Sequence, residues 1–177
     1  MRKSKKPMVI AFWLMPAKAE RELFREIIEI LAKQLKAPVF QPHLTLFLTR
    51  GNAQSAGRIL KRMRAKPFQL SIRDVRSSPK FTKTLFVRFR PNAALNELVA
   101  NMQRASGARR GRIADPHLSL CYKKLPAPSR EQLAAMMRLP LTRVLFDSVR
   151  AVRCAWPTQT AEEVRAWRTV ARKKLIG

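Results

Sequence analysis

Cysteine is almost missing from this chain. Two occur in 177 residues, Cys121 and Cys154, in no C-x-x-C or metal-type spacing, which excludes a disulfide framework and a cysteine zinc site. Both read as free thiols in a reducing compartment, and the cytoplasm is the expected location. Carboxylates are scarce as well, 11 Asp+Glu against 37 Lys+Arg. A magnesium or two-metal site draws on Asp and Glu oxygens, and beside the motifs described below only Asp115 is at hand, so no metal or cofactor is expected. No apolar run approaches the ~18 residues of a membrane span, and no membrane partner is expected. Aromatic residues make up 7% with no RNP-like pattern, which argues against an RNA-reading sheet. Histidine is down to two, His43 and His117.

What is present is hydrophobic content, 46%, enough over this length for a single compact domain spanning residues 1–177. There is also charge, formally +26, which makes a polyanion or a phosphorylated small molecule the natural partner and permits non-specific nucleic-acid binding. The charge is spread: residues 1–88 carry 20 basic and 5 acidic side chains (+15), and residues 89–177 carry 17 and 6 (+11). The opening MRKSKKPMVIAFWLMPAKA looks like a secretory leader, with a basic start, a short apolar run and Ala17-Lys18-Ala19. Its apolar run is instead needed as a core strand of the repeat described next. A monomer is expected.

The prolines reveal an internal duplication. VIAFWLM ends at Pro16, a helical pattern follows, then Pro42-His-Leu-Thr-Leu, a second helix, and Pro67 before FQLSIRDV. In the second half LFVRFR ends at Pro91, then come a helix, Pro116-His-Leu-Ser-Leu, another helix, and Pro140 before LTRVLFDSV. The offsets are 75 (Pro16 to Pro91), 74 (Pro42 to Pro116) and 73 (Pro67 to Pro140). Repeat 1 spans about 7–78 and repeat 2 about 82–155, each strand-helix-strand-helix-strand, with a C-terminal strand at about 166–175.

Helices rest on periodicity and caps. Leu23, Phe24, Ile27, Ile30, Leu31 and Leu35 form one stripe; Asn52 precedes Ala56, Ile59, Leu60 and Met63; Asn92 precedes Leu95, Leu98, Val99 and Met102. Ser129 with Gln132 has the capping-box pattern ahead of Leu133, Met136 and Met137. Residues 82–90, 141–155 and 166–175 read as strands, and the stretch between Trp156 and Trp167 as a loop with a helical turn. The expected fold is α+β and bilobal: two pseudo-symmetric lobes, each a small antiparallel sheet backed by two helices, with an active site in the cleft between the sheets.

In a strand alternate side chains share a face. His43, Thr45 and Phe47 then oppose Leu44, Leu46 and Leu48, while His117, Ser119 and Cys121 oppose Leu118, Leu120 and Tyr122. Leucines go to the helices and each lobe turns a histidine and a hydroxyl to the cleft. Two imidazoles, one neutral and one protonated, suit in-line opening of a phosphodiester, which needs a base on one side of phosphorus and an acid on the other. Thr45 and Ser119 can donate to the non-bridging oxygens as charge builds there. Two histidines alone fall short of a zinc site.

The doubled H-x-(T/S)-x motif resembles that of the 2H phosphoesterase superfamily. More narrowly, the FWLMP strand, PVFQPHLTL, DPHLSLCY and the segment from Val152 through Trp167-Arg-Thr-Val resemble its cyclic phosphodiesterases over nearly the whole chain. The resemblance implies metal-independent hydrolysis of 2′,3′-cyclic nucleotides or ADP-ribose 1″,2″-cyclic phosphate. It makes His43 and His117 the catalytic pair, Thr45 and Ser119 the phosphate-binding residues, and Tyr122 a substrate contact that needs a bulge to reach the cleft. Trp13 belongs to it too and could stack on a purine. Arg110, in the loop Arg109-Arg110-Gly111-Arg112, could grip a second phosphate or an RNA backbone. The alternatives are an RNA-end 2′,3′-cyclic phosphodiesterase like the 2′–5′ RNA ligase branch, and a basic RNA-binding protein without catalysis.

Overall fold

The structure, a computed structural model, describes residues 6–108 and 111–176. Its elements run β1 (Met8–Pro16), α1 (Lys18–Leu35), β2 (Leu44–Thr49), α2 (Ala53–Arg62), β3 (Phe68–Ser77), β4 (Leu85–Phe89), α3 (Ala93–Ser106), β5 (His117–Cys121), α4 (Ala127–Met136), β6 (Arg143–Ala155), α5 (Ala161–Arg165) and β7 (Arg168–Lys174). A 3₁₀ turn, Phe81–Lys83, leads into β4. The strand-helix-strand-helix-strand order therefore occurs twice before α5 and β7.

All pairings are antiparallel and repeat across the two halves. β1 lies between β2 and β6, and its counterpart β4 lies between β5 and β3. β1 and β4 each pair with one strand of their own repeat and one of the other, so the lobes β2-β1-β6 and β5-β4-β3 both draw on the two repeats, and these lobes join at two places. Leu44 pairs with Leu118, and Phe68–Ser71 pair with Phe146–Arg143. Because β6 also pairs with β1, the ladder closes on itself, while β7 lies along the second half of β6. Among the described residues no helix is long and apolar enough to cross a membrane.

Strand β1 is buried on both faces, and its alternation sorts two clusters. Ile10, Phe12 and Leu14 enter the main core shared by both repeats; Val9, Ala11, Trp13 and Met15 form a smaller cluster with Val152 and Cys154. The α2 stripe (Ala56, Ile59, Leu60, Met63) and the α3 stripe (Leu95, Leu98, Val99, Met102) are buried as expected. Both helices begin on an asparagine whose side chain accepts a backbone N–H three residues on, Ser55 for Asn52 and Leu95 for Asn92.

Three local expectations are corrected. In α1 the buried face is Phe24, Ile28, Leu31 and Ala32, while Ile30 is exposed. Ile28 and Ile30 lie about 200° apart on a helix, so only one can face the sheet. In α4 the cap is Pro126 and the helix starts at Ala127, two residues ahead of Ser129. Pro128 sits in the first turn, where its missing N–H has no intrahelical partner to lose, and so extends the helix backwards. Met136 is exposed, and Leu133, Ala134 and Met137 supply the contact with the core.

Asn92 caps α3 through its Oδ1 and also donates Nδ2–H to the Gln69 carbonyl of β3. Asn92→Ala is expected to lower unfolding free energy in urea by about 1 kcal/mol or more, whereas Ser129→Ala stays within about 0.5 kcal/mol of wild type. Equal losses would contradict the cap assignment.

Candidate active site

Each histidine stands at the start of its motif strand, where the chain straightens out of a Pro-containing turn. The His43 Nδ1 lies 2.6 Å from the Gln41 carbonyl and the His117 Nδ1 2.9 Å from the Asp115 carbonyl. A carbonyl oxygen only accepts, so in both rings Nδ1 carries the hydrogen and Nε2 is left with the lone pair. The same backbone device, two residues back in both repeats, fixes both tautomers. The two imidazoles, Thr45 and Ser119 line one cavity of about 300 Å³. Carrying the Leu44–Leu118 register one residue each way sets His43 across from Ser119 and Thr45 across from His117. Each imidazole thus faces the other repeat's hydroxyl.

A bulge follows the hydroxyl in both strands. Trp13 is opposite Thr45 and Phe12 opposite Phe47, so Leu46 is the extra residue; Phe86 is opposite Ser119 and Leu85 opposite Cys121, so Leu120 is. The bulges are 74 residues apart, as the motifs are. They reset the alternation. Cys121, expected on the histidine face, packs in the main core; Phe47 packs against that core while also lining the cavity, and Leu48 joins the cluster around Trp13. Tyr122 is brought to the cavity wall, its ring stacked on Phe40 at 3.8 Å. Burial raises the pKa of its phenol well above the usual range, with the nearby Ser119 side chain acting the other way.

The surroundings of the two rings differ. His43 is 6% exposed, stacked on Trp13 at 3.7 Å, with Phe40 and Trp167 edge-on. Burial lowers its pKa to about 4, against the opposing bond to Gln41. His117 is half-buried, with Phe86 edge-on at 5.5 Å. Its pKa is also lowered, first by burial, with the Asp115 carbonyl raising it and Lys83 lowering it further. Behind it the Asp115 carboxylate meets Lys83 at 2.6 Å and Arg88 at 3.9 Å, and Arg88 grips Asp74 through two bonds of 2.7 and 2.6 Å. That grip holds the Asp74 carboxyl down to about 2. Both shifts favour the neutral imidazole at neutral pH, and an anion entering between the rings favours protonating one.

The hydroxyls differ as well. Ser119 Oγ donates to the Thr82 carbonyl at 2.8 Å, and must rotate from it to serve a ligand. Thr45 makes no side-chain hydrogen bond among the described residues. Trp13 lines the same cavity but is 5% exposed, with one face against His43, so it backs the imidazole. Arg110 lies outside the described residues. Thr82, Leu48, Trp156 and Trp167 also line the cavity. No sequence pattern marked Thr82 or Leu48, whereas an aromatic pair bracketing a short loop was a visible signal. Among the described residues no three His, Cys, Asp or Glu side chains group in a way that could hold a metal ion.

The family described as cyclic phosphodiesterase-like protein matches residues 8–175. Solved structures show the same fold. E. coli LigT complexed with 3′-AMP superposes with a TM-score of 0.60 at 18% identity, covering 98% of this chain and 100% of that one. LigT complexed with NADP+ gives 0.55 at 16% over 98% and 100%. TT0787 of Thermus thermophilus gives 0.57 at 14% over 94% and 97%. No curated protein matches.

The buried His43 ties stability to pH. Its folded pKa lies below the unfolded value, so its neutral form is fully accommodated above pH 6.5, and stability is lost as pH falls from 6.5 toward 4, where the unfolded chain binds a proton that the folded one resists. The loss is about 3 kcal/mol. The stability difference between wild type and His43→Gln, from denaturant unfolding at pH 7 and pH 4, is expected to shift by about that amount against the wild type. A difference independent of pH would show that His43 is not held neutral by burial.

Proposed function

Because this chain belongs to the cyclic phosphodiesterase-like family, within the 2H phosphoesterases, we propose that it opens cyclic phosphodiesters of nucleotides by paired histidine acid–base catalysis without a metal ion. The reading spans the whole chain as one domain, with both repeats facing one cavity. The observation that carries it is the pair of imidazoles whose Nδ1–H groups are tied to carbonyls two residues back, lining one cavity with Thr45 and Ser119.

In this reaction a water oxygen attacks phosphorus in line with the ring P–O bond that breaks. One neutral Nε2 takes the water's proton, and the other imidazole, protonated, returns a proton to the departing ribose oxygen, leaving a phosphate monoester. Holding the tautomers from behind keeps both Nε2 atoms available, so neither imidazole has to reorient before reaction. The Thr45 hydroxyl, and Ser119 once turned from Thr82, donate to the non-bridging oxygens as negative charge grows. Both rings rest below their ordinary pKa, so the substrate's own charge supplies the bias that protonates one of them.

The substrate class is a phosphorylated small molecule, a 2′,3′-cyclic nucleotide or ADP-ribose 1″,2″-cyclic phosphate. Nucleotide complexes of LigT, with 3′-AMP and with NADP+, support that class, as does a cavity at the small end of ligand sites. The +26 charge favours a second reading, action on a 2′,3′-cyclic phosphate at an RNA end. If backbone contacts matter, kcat/KM for an oligonucleotide exceeds that for the mononucleotide and the excess disappears with salt; a small-molecule enzyme shows no such excess.

With 2′,3′-cyclic AMP and EDTA present, followed by phosphorus NMR, wild type is expected to form a phosphate monoester. His43→Ala and His117→Ala should each lose about 10²- to 10⁴-fold in rate with the fold retained by circular dichroism. Thr45→Ala should lower kcat more than it raises KM. Unchanged turnover in either histidine variant, or activity abolished by EDTA, sinks the proposal; RNA binding without turnover by wild type would leave a binding protein.

A further inference from the structure

The cavity that holds the two motifs extends past the groups that phosphate chemistry needs. Beyond the imidazoles and hydroxyls its wall turns apolar, with Ala11, Leu48, Cys154, Trp156 and Trp167. Trp156 is unusual among them. It is 46% exposed and joins none of the three buried hydrophobic clusters, so core packing does not account for it. Its turn is nonetheless pinned. Trp156 N–H donates to the Pro7 carbonyl at 3.0 Å, the Thr158 hydroxyl to the Ala155 carbonyl at 2.9 Å, and Lys6 Nζ to the Pro157 carbonyl at 3.0 Å while paired with Glu163 at 2.6 Å. The backbone that carries this wide aromatic surface is thus held in place beside the cavity before any ligand arrives, which removes part of the ordering cost of binding.

Resting on the catalytic reading above, we propose that this end of the cavity is a nucleobase subsite in which the base of a cyclic nucleotide stacks on Trp156, against the wall made by Leu48 and Trp167, with its phosphate between the two histidines. The covered face of Trp13 cannot serve this purpose. A base is the ligand group that matches a flat apolar surface linked, within one cavity, to a phosphate-sized polar end. Stacking needs only a π face, which every base has, so the subsite accepts all four and favours the larger purines. A cavity of about 300 Å³ takes one nucleotide, whether free or the last of a chain.

The test compares 2′,3′-cyclic AMP with glycerol 1,2-cyclic phosphate, which has the five-membered phosphodiester ring and no base, in wild type, Trp156→Ala and Trp156→Phe, together with calorimetric binding of adenosine 2′-phosphate. The ratio of kcat/KM for the nucleotide over the base-free ring is expected to fall about tenfold in Trp156→Ala, mainly through KM, and to recover largely in Trp156→Phe. Adenosine 2′-phosphate should bind Trp156→Ala about tenfold more weakly than wild type. A ratio that stays at the wild-type value overturns the subsite and leaves the catalytic reading standing. Trp156-dependent binding of adenosine 2′-phosphate by a wild type that opens neither ring upholds the subsite and overturns the catalytic reading. Binding that ignores Trp156, with no turnover, overturns both.

Discussion

One backbone pair, Leu44 with Leu118, joins the strands that carry the two histidines, and the cleft follows from it. Because the two residues are equivalent in the duplication, a local two-fold axis passes between them, and each neighbour meets the other repeat's counterpart of the residue across. That places an imidazole and a hydroxyl on either side of one small volume without any side chain having to reach. The shared core beneath, drawing on both repeats, holds the axis in place. The second junction, between β3 and β6, closes the ring of strands so that the lobes cannot slide and lose the pairing.

The symmetry is geometric and not electrostatic. Gln41 and Asp115 are equivalent residues doing the same backbone work, yet one side chain is neutral and the other anchors Lys83 and Arg88, with Asp74 beyond. His43 is enclosed by aromatic rings, and His117 is half-open beside a charge network. In a chain with so few carboxylates, two of them gather behind one histidine. Equivalent positions in the duplication have therefore acquired surroundings in which the two rings respond differently to the same incoming anion.

Most of the frame was readable from residues: the prolines gave the duplication, asparagine caps and 3.6-residue stripes gave α2 and α3, and the repeated Pro-His-Leu-(Thr/Ser)-Leu gave the strands of the site. What failed had local physical causes. Two-residue alternation carries no sign of a bulge, so it puts Cys121 on the wrong face, and it leaves Tyr122 dependent on a bulge that composition does not announce. Ile28 and Ile30 are chemically alike, and only the sheet they meet selects between them. Trp13 is apolar and aromatic whether it stacks on a base or on an imidazole, and only the structure puts the ring of His43 against it. Trp156 is visible in the sequence as one of two aromatics bracketing a loop, but a platform for a flat ligand requires position and exposure, neither of which sequence displays.

The two bulges, one after each hydroxyl, bear on origin. Both repeats carry the same irregularity at equivalent positions, so it is a feature of the repeating unit. A half-length chain with one motif could not have closed the ring of strands or buried the leucine faces alone, and its lone histidine would have had no partner. It could build this cleft only as a symmetric dimer in which the Leu44–Leu118 contact was the self-contact of one leucine with its copy. In a single chain the two equivalent surfaces are independently mutable, which is the condition for one imidazole to differ from the other.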